Sequence, residues 1–227
     1  MSRISLEHTL EELAESSENA EQFFQNYSDT KRYLEEEMYP WVQSNCSWFT
    51  DHGEQHINAV IFQASGLLKN ELRNPEEGDL DELDIFILLM AILWHDVGMI
   101  DHRTDHERIS AEIIEDFSRR AYPNTAIKRV VEDVVKAHRN KTGLDIPQKT
   151  TSFTLSGEVY NLYPKALAGI LRYADEISET QERVSGDAWI LDQVPEESKI
   201  FWRYAQSIQA CYPDINGQSI QMNIELT

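Results

Sequence analysis

The sequence predicts a mainly α-helical bundle with a small antiparallel β unit at its C-terminal end. Three observations predict it. Apolar residues recur at spacings of three and four through most of the first 180 positions. The run from Ile85 to Trp94 is apolar on every side, as a central helix should be. Near the end, two segments rich in strand formers flank Pro213-Asp214-Ile215-Asn216-Gly217, and Asn-Gly is a strong hairpin signal.

Along the chain, Ser5 to Asn45 reads as two polar, acidic helices, Leu10 to Phe24 and Lys31 to Val42. From Asp51 to Leu72, the positions Val60, Ile61, Ala64, Leu67 and Leu68 make one amphipathic helix. Asn74-Pro75 and Gly78 mark a loop. The central helix, Asp84 to Trp94, ends at His95-Asp96-Val97-Gly98. His106 to Arg119 is amphipathic, with Ile109, Ile113 and Phe117 in line. Pro123 suits the first turn of a helix that runs to about His138. Asn140 to Ser156 reads as loop, and Pro164 to Ile177 as a further helix. Beyond Gly186, Trp202 to Cys211 and Ser219 to Leu226 read as paired strands. The expected division is N-terminal helices over 1–48, a helical domain over 49–185 and a small extension over 186–227. The last strand runs to the end of the sequence, as expected of a domain taken from a longer protein.

With 227 residues the chain can bury one good-sized core. A net charge of −20 gives no general attraction to nucleic acid, whose binding depends on Lys and Arg neutralising phosphates. Duplex binding is therefore not expected, although a local basic pocket can still hold a small phosphorylated ligand. Two cysteines, Cys46 and Cys211, without CxxC spacing argue against a disulfide framework or a cysteine-rich zinc module. The polar, acidic N-terminus resembles neither a signal nor a transit peptide. The longest apolar run is about half the length a bilayer requires. A cytoplasmic protein without a membrane partner is expected.

The histidines carry the chemistry. His56 precedes Val60 by four and lies on an apolar face. His95 and Asp96 close the most buried helix. His106 aligns with Ile109 and Ile113, His138 with Val131, Val134 and Val135, and Asp175 with Ala168 and Leu171. A buried Asp or neutral His is costly without a partner. One such residue is most often a core group satisfied by hydrogen bonds; six on five helices call for a shared cation. Imidazole with carboxylate suits Zn, Fe, Mn, Ni or Co. There is no GxSxG elbow and no P-loop lysine motif.

These residues resemble the HD superfamily of metal-dependent phosphohydrolases. The matching elements are His56 within Thr50-Asp51-His52-Gly53-Glu54-Gln55-His56, the pair in Leu93-Trp94-His95-Asp96-Val97-Gly98, and Asp175 in Leu171-Arg172-Tyr173-Ala174-Asp175. The stretch beginning Phe49-Thr50-Asp51-His52-Gly53 is also similar to HD domains found beside ATPase or chaperone-like modules in bacterial defence systems. The resemblance implies an HD helical bundle with His56, His95, Asp96 and Asp175 as ligands of one divalent transition metal. It implies His106 and His138, with a bridging Asp96, as ligands of a second. His52 is then a substrate or acid/base group one helical turn from His56, with His106 an alternative acid. Arg139, Lys141, Arg172 and Lys136 are candidate clamps for a phosphoryl group, and Trp48 or Phe49 could stack a base. His102 matches nothing and reads as a loop residue. The expected activity is hydrolysis of a nucleotide or similar small phosphoester by metal-activated water. The alternative is a non-catalytic or regulatory module that binds metal or nucleotide within a larger assembly.

Overall fold

The computed structural model describes residues 5–45, 52–73, 80–101, 104–117, 121–139, 152–184, 194–214 and 218–225. Within them the architecture is mainly α, with two small antiparallel hairpins.

The N-terminal segment holds more pieces than the sequence suggests. Helix α1 is Leu6–Ala14 and α2 is Glu18–Tyr33. The expected Leu10-to-Phe24 helix is divided between them, because the Ser17 hydroxyl accepts from the Ala20 amide and starts a new helix. A π turn over Leu34–Met38 leads into α3, Tyr39–Asn45. Helix α4 is Glu54–Leu67, and a break at Leu68 separates it from the short α5, Lys69–Arg73. The expected single helix over 51–72 is therefore also two.

Helix α6, Glu82–Trp94, is the axis of the fold. The Asp81 carboxylate accepts from the Leu83 and Asp84 amides to begin it. Every residue from Leu83 to Trp94 is buried. With the 3-10 turn Val97–Ile100 it is apolar enough to cross a bilayer by composition, yet 94% of its most apolar window is buried inside the protein. It is covered by α1, α2 and α4, and by three helices that follow it: α7 (His106–Phe117), α8 (Thr125–Ala137) and α9 (Pro164–Ile177). Pro164 is the first residue of α9, as the sequence predicts. Pro123 is not in the first turn of α8. Asn124 caps that helix by accepting from the Ile127 amide, so the proline precedes the cap.

Two elements fall where loop or strand was expected. A hairpin of β1 (Phe153–Leu155) and β2 (Glu158–Tyr160) closes the 140–156 stretch. Ser156 and Gly157 lie at φ 51° and 91°, the two positive angles that a tight two-residue hairpin turn requires. The Tyr160 hydroxyl bonds Glu82 of α6 and Asn19 of α2, which fixes the hairpin to the bundle. Further on, residues 202–207 are helical. They belong to α10, Glu196–Ser207, because Trp202 and Ala205 bury themselves with Val184 and Val194. Strand β3 (Ile208–Asp214) begins only after that helix and pairs with β4 (Ser219–Ile224), as the hairpin signal predicts. The Asn216-Gly217 turn itself lies outside the described residues. Gln63 of α4 ties β3 to the bundle by donating to the Cys211 carbonyl at 2.6 Å and the Ile177 carbonyl at 3.2 Å.

Candidate metal centre

Helix ends converge on one point. His56 is in the first turn of α4 and His106 opens α7. His95 and Asp96 follow the last residue of α6, His138 caps α8, and Asp175 sits in the last turn of α9. Three helix C-termini and two N-termini meet at the point, so the helix dipoles there oppose one another and the side chains set the charge. All six side chains predicted from the sequence come together. His56, His95, Asp96, His106 and His138 are at most 5% exposed, while the Asp175 side chain is 29% exposed and opens the site to a cavity.

The close approach of α7 depends on Gly98. A Cβ at that position would lie 2.1 Å from the His106 carbonyl oxygen and 2.6 Å from the Ser110 nitrogen. The Gly98 amide donates to Ser110 Oγ at 2.8 Å, and that hydroxyl donates to the His95 carbonyl at 2.9 Å. One serine therefore links the His-Asp turn to the helix that carries His106. On the opposite side, the Tyr39 hydroxyl donates to the Leu93 carbonyl at 2.9 Å.

The donor atoms form two sets that share Asp96. In the first set, His56, His95, Asp96 and Asp175 place their ligand atoms within 4.8 Å of one another, and Asp96, His106 and His138 do the same in the second. In the first, His56 Nε2 is 3.2 Å from Asp175 Oδ1, 3.4 Å from Asp96 Oδ2 and 3.2 Å from His95 Nε2. His95 Nε2 is 3.2 Å from Asp96 Oδ2 and 3.7 Å from Asp175 Oδ1. An ion with tetrahedral bonds of about 2.0–2.2 Å separates its ligands by about 3.3–3.6 Å, so these residues fit such a group.

The far ring nitrogens support that fit. His95 Nδ1 donates to the Ile92 carbonyl at 2.8 Å. Ser178 Oγ gives its proton to the Asp175 carbonyl, so at 3.3 Å it accepts from His56 Nδ1. Both Nε2 atoms are thereby left as lone pairs, directed at each other across 3.2 Å. Such an arrangement needs a cation between them. Without a metal a proton fills that role: burial opposes charge on His95, but the Asp96 and Asp175 carboxylates outweigh it and raise its pKa well above the ordinary value. Both carboxylates are held well below their usual range. Burial opposes this too, and the histidines overcome it, His95 first for Asp96 and His56 first for Asp175.

In the second set, His106 Nε2 is 3.0 Å and His138 Nε2 3.9 Å from Asp96 Oδ1, and the two nitrogens are 3.3 Å apart. His138 Nδ1 donates to the Val135 carbonyl at 2.6 Å, which frees Nε2. Burial, with the charge on His95 next, lowers its pKa to about 4. His106 differs. Its Nδ1 faces Arg139 Nη1 at 3.1 Å, and a guanidinium only donates, so the imidazole proton belongs on Nε2, toward Asp96.

A cavity of about 510 Å³ opens over Asp96 and Asp175. Of the expected phosphoryl clamps, Arg139 lines it. Arg172 is exposed on α9 and is not in the lining, and Lys136 is exposed and likewise outside it. Lys141, His102, Trp48 and Phe49 lie outside the described residues. His52 also lines the cavity, with Nδ1 at 2.8 Å from Asp96 Oδ2 and 3.0 Å from Arg183 Nη2. Burial lowers its pKa to about 4 against the pull of Asp96, and its Nε2 has no hydrogen-bond partner among the described residues. Sequence reasoning missed Arg183, which is buried, bonds Glu179 and reaches His52. It also missed Ser110 and Ser178. Ser110 follows His106 by four and Ser178 follows Asp175 by three, so helical spacing was the available signal.

A family model, HD-CE, matches residues 46–227. The chain belongs to the HD-CE family. The matched span includes every donor above and continues through α10 and the β3–β4 hairpin. No curated protein and no solved structure matches the chain.

Proposed function

We propose that this HD-CE chain is a metal-dependent phosphohydrolase or phosphodiesterase acting on a nucleotide or similar small phosphoester. The observation that carries the reading is the facing pair of Nε2 lone pairs of His56 and His95. They sit between two carboxylates, their protons are committed elsewhere, and the set opens to a cavity rather than being sealed. His56, His95, Asp96 and Asp175 would hold the first divalent ion, and Asp96, His106 and His138 the second. When bound, Mn, Fe, Ni, Co or Zn supplies a water acidified to near neutrality and a Lewis acid for a phosphoryl oxygen.

The chain's own residues do the rest. Asp96 uses Oδ2 toward the first set and Oδ1 toward the second, so one carboxylate fixes the relation of the two. Arg139, at the cavity wall, meets negative charge that builds on a transferring phosphoryl group. His52 Nδ1 lies 2.8 Å from Asp96 Oδ2, so the ring proton belongs there and Nε2 keeps its lone pair. Burial holds the ring neutral, with a pKa of about 4, so His52 acts as a base rather than as an acid. The net charge of −20 keeps long duplexes from being good substrates.

One observation favours a second reading. Arg139 on His106 Nδ1 leaves the second donor set protonated toward Asp96, which suits a module that binds one metal and serves as a regulatory part of a larger assembly. Elemental analysis of wild type and Asp96→Ala, purified without chelator, followed by a phosphoester panel with Mn, Ni or Fe added, separates them. Metal with turnover, both lost in the variant, is the expected result. Metal without turnover supports the regulatory reading, and no metal under any condition overturns both.

A further inference from the structure

Helix α10 has two apolar sides, and only one is buried. Trp202 and Ala205 pack with Val184 and Val194. Ile200, Phe201 and Tyr204 remain 68%, 50% and 46% exposed. Tyr204 lies four positions from Ile200 and three from Phe201, so it neighbours both on the helix surface. Single exposed apolar side chains need no explanation, but a contiguous group beside a cavity does. All three line the cavity over the metal centre, which Arg139 and the buried Arg183 also line.

The cavity lining is of two kinds. One comprises the metal donors, the two arginines and the carboxylates Glu176 and Glu179, with Arg183 bonded to Glu179. The other is a wall of one aliphatic and two aromatic side chains. At about 510 Å³ it exceeds what a phosphate group needs and lies in the range of sites for small organic ligands, roughly 300–1,000 Å³. Aromatic faces favour a flat ring over an alkyl chain, through stacked or edge-on contact.

We propose that α10 is a specificity-determining wall, on which Ile200, Phe201 and Tyr204 receive a flat aromatic group attached to the phosphorus of the ligand. The proposal rests on the phosphohydrolase reading for the identity of the polar end, but the wall is testable without turnover. Because α10 lies inside the span matched by the family model, the wall belongs to the same unit as the donors.

The test is calorimetric binding of phenylphosphonate and methylphosphonate, neither of which has a hydrolysable ester, to the Mn-supplemented full chain. Wild type should bind the phenyl compound about tenfold or more tighter than the methyl compound. Phe201→Ala and Tyr204→Ala should each remove most of that preference, and Phe201→Tyr should retain it. Melting curves on each variant establish that it is folded, as expected for half-exposed positions. No phenyl preference in wild type, or a preference that survives both alanine variants, overturns the wall. If hydrolysis is found on the phosphoester panel without a phenyl preference, the wall alone fails. If the preference is found but no metal binds, the hydrolase reading fails and the wall stands as a binding surface.

Discussion

The two halves of the metal centre share Asp96 but differ in what holds the far side of each imidazole. In the half formed with His56, His95 and Asp175, both imidazole Nδ1 atoms donate to fixed acceptors, Ser178 Oγ and the Ile92 carbonyl. In the half formed with His106 and His138, one imidazole is set the same way by the Val135 carbonyl, whereas the other meets a guanidinium. A histidine ligand works only with its lone pair directed at the ion, and the partner of the other nitrogen decides that. The first half is thus ready for a metal as folded. In the second half, Arg139 holds the His106 proton on the side that faces Asp96.

The largest effect should come from removing the shared residue. Asp96→Ala takes a ligand from both sets: His106 and His138 lose the carboxylate they face, and His56 and His95 keep Asp175 alone. Bound metal should fall below one tenth of the wild-type level, since a lost ligand typically costs more than the roughly 10–100-fold of a lost outer-shell partner. Elemental analysis checks this, and a variant that keeps its first ion would place Asp96 outside that set.

Gly98→Ala should break one half and spare the other. The added methyl group collides with the His106 carbonyl and the Ser110 nitrogen, which are backbone atoms that cannot rotate away. Helix α7 must move outward and take His106 with it, while His56, His95 and Asp175 are held by α4, α6 and α9. A metal titration should show the first ion retained and the second lost, with stability lowered by about 1–3 kcal/mol from overpacking. Loss of both ions together would show that the halves are not independent.

Arg139→Gln tests the guanidinium directly. With the donor-only group gone, His106 is free to carry its proton on Nδ1, and affinity for the second ion should rise about tenfold, on the scale of an outer-shell change. Binding of inorganic phosphate to the metal-loaded protein should fall in the same variant, because a cation leaves the cavity wall. An unchanged second-site affinity would mean that Arg139 does not set the tautomer of His106.

How much of this was legible in the sequence follows the same division. The donors were legible because each interrupts an apolar stripe, and a polar atom on a buried face carries its own signal. The far-side partners were not. The Ile92 and Val135 carbonyls are backbone atoms with no sequence signature, and Arg183 reaches His52 from 131 positions away. Arg172 seemed as good a clamp as Arg139, because proximity in sequence to Asp175 says nothing about which side of α9 a residue faces. In the fold, α6 and α9 were recoverable from apolar periodicity, whereas the break at Ser17 and the helical course of Trp202 to Ser207 were not. A cap and a tertiary contact decided those, and neither alters the local pattern of apolar residues.

Asp84 shows what Asp96 would be without its histidines. It is 2% exposed in the first turn of α6, and its Oδ1 has no hydrogen-bond partner among the described residues. Burial, helped by the Asp81 charge, pushes its pKa up to about 8, where Asp96 on the same helix axis is held low. The unfolded chain releases the proton near pH 4. Between about pH 4 and 8 the folded state therefore binds a proton that the unfolded state does not, and the stability contribution, full below pH 4, is lost as pH rises toward 8. Asp84→Asn stays neutral throughout. Its stability relative to wild type should climb from pH 5 to 8.5 by about 1–3 kcal/mol, read from urea unfolding at each pH, with no change in bound metal. A difference that does not vary with pH would show that the Asp84 carboxylate is solvated or paired.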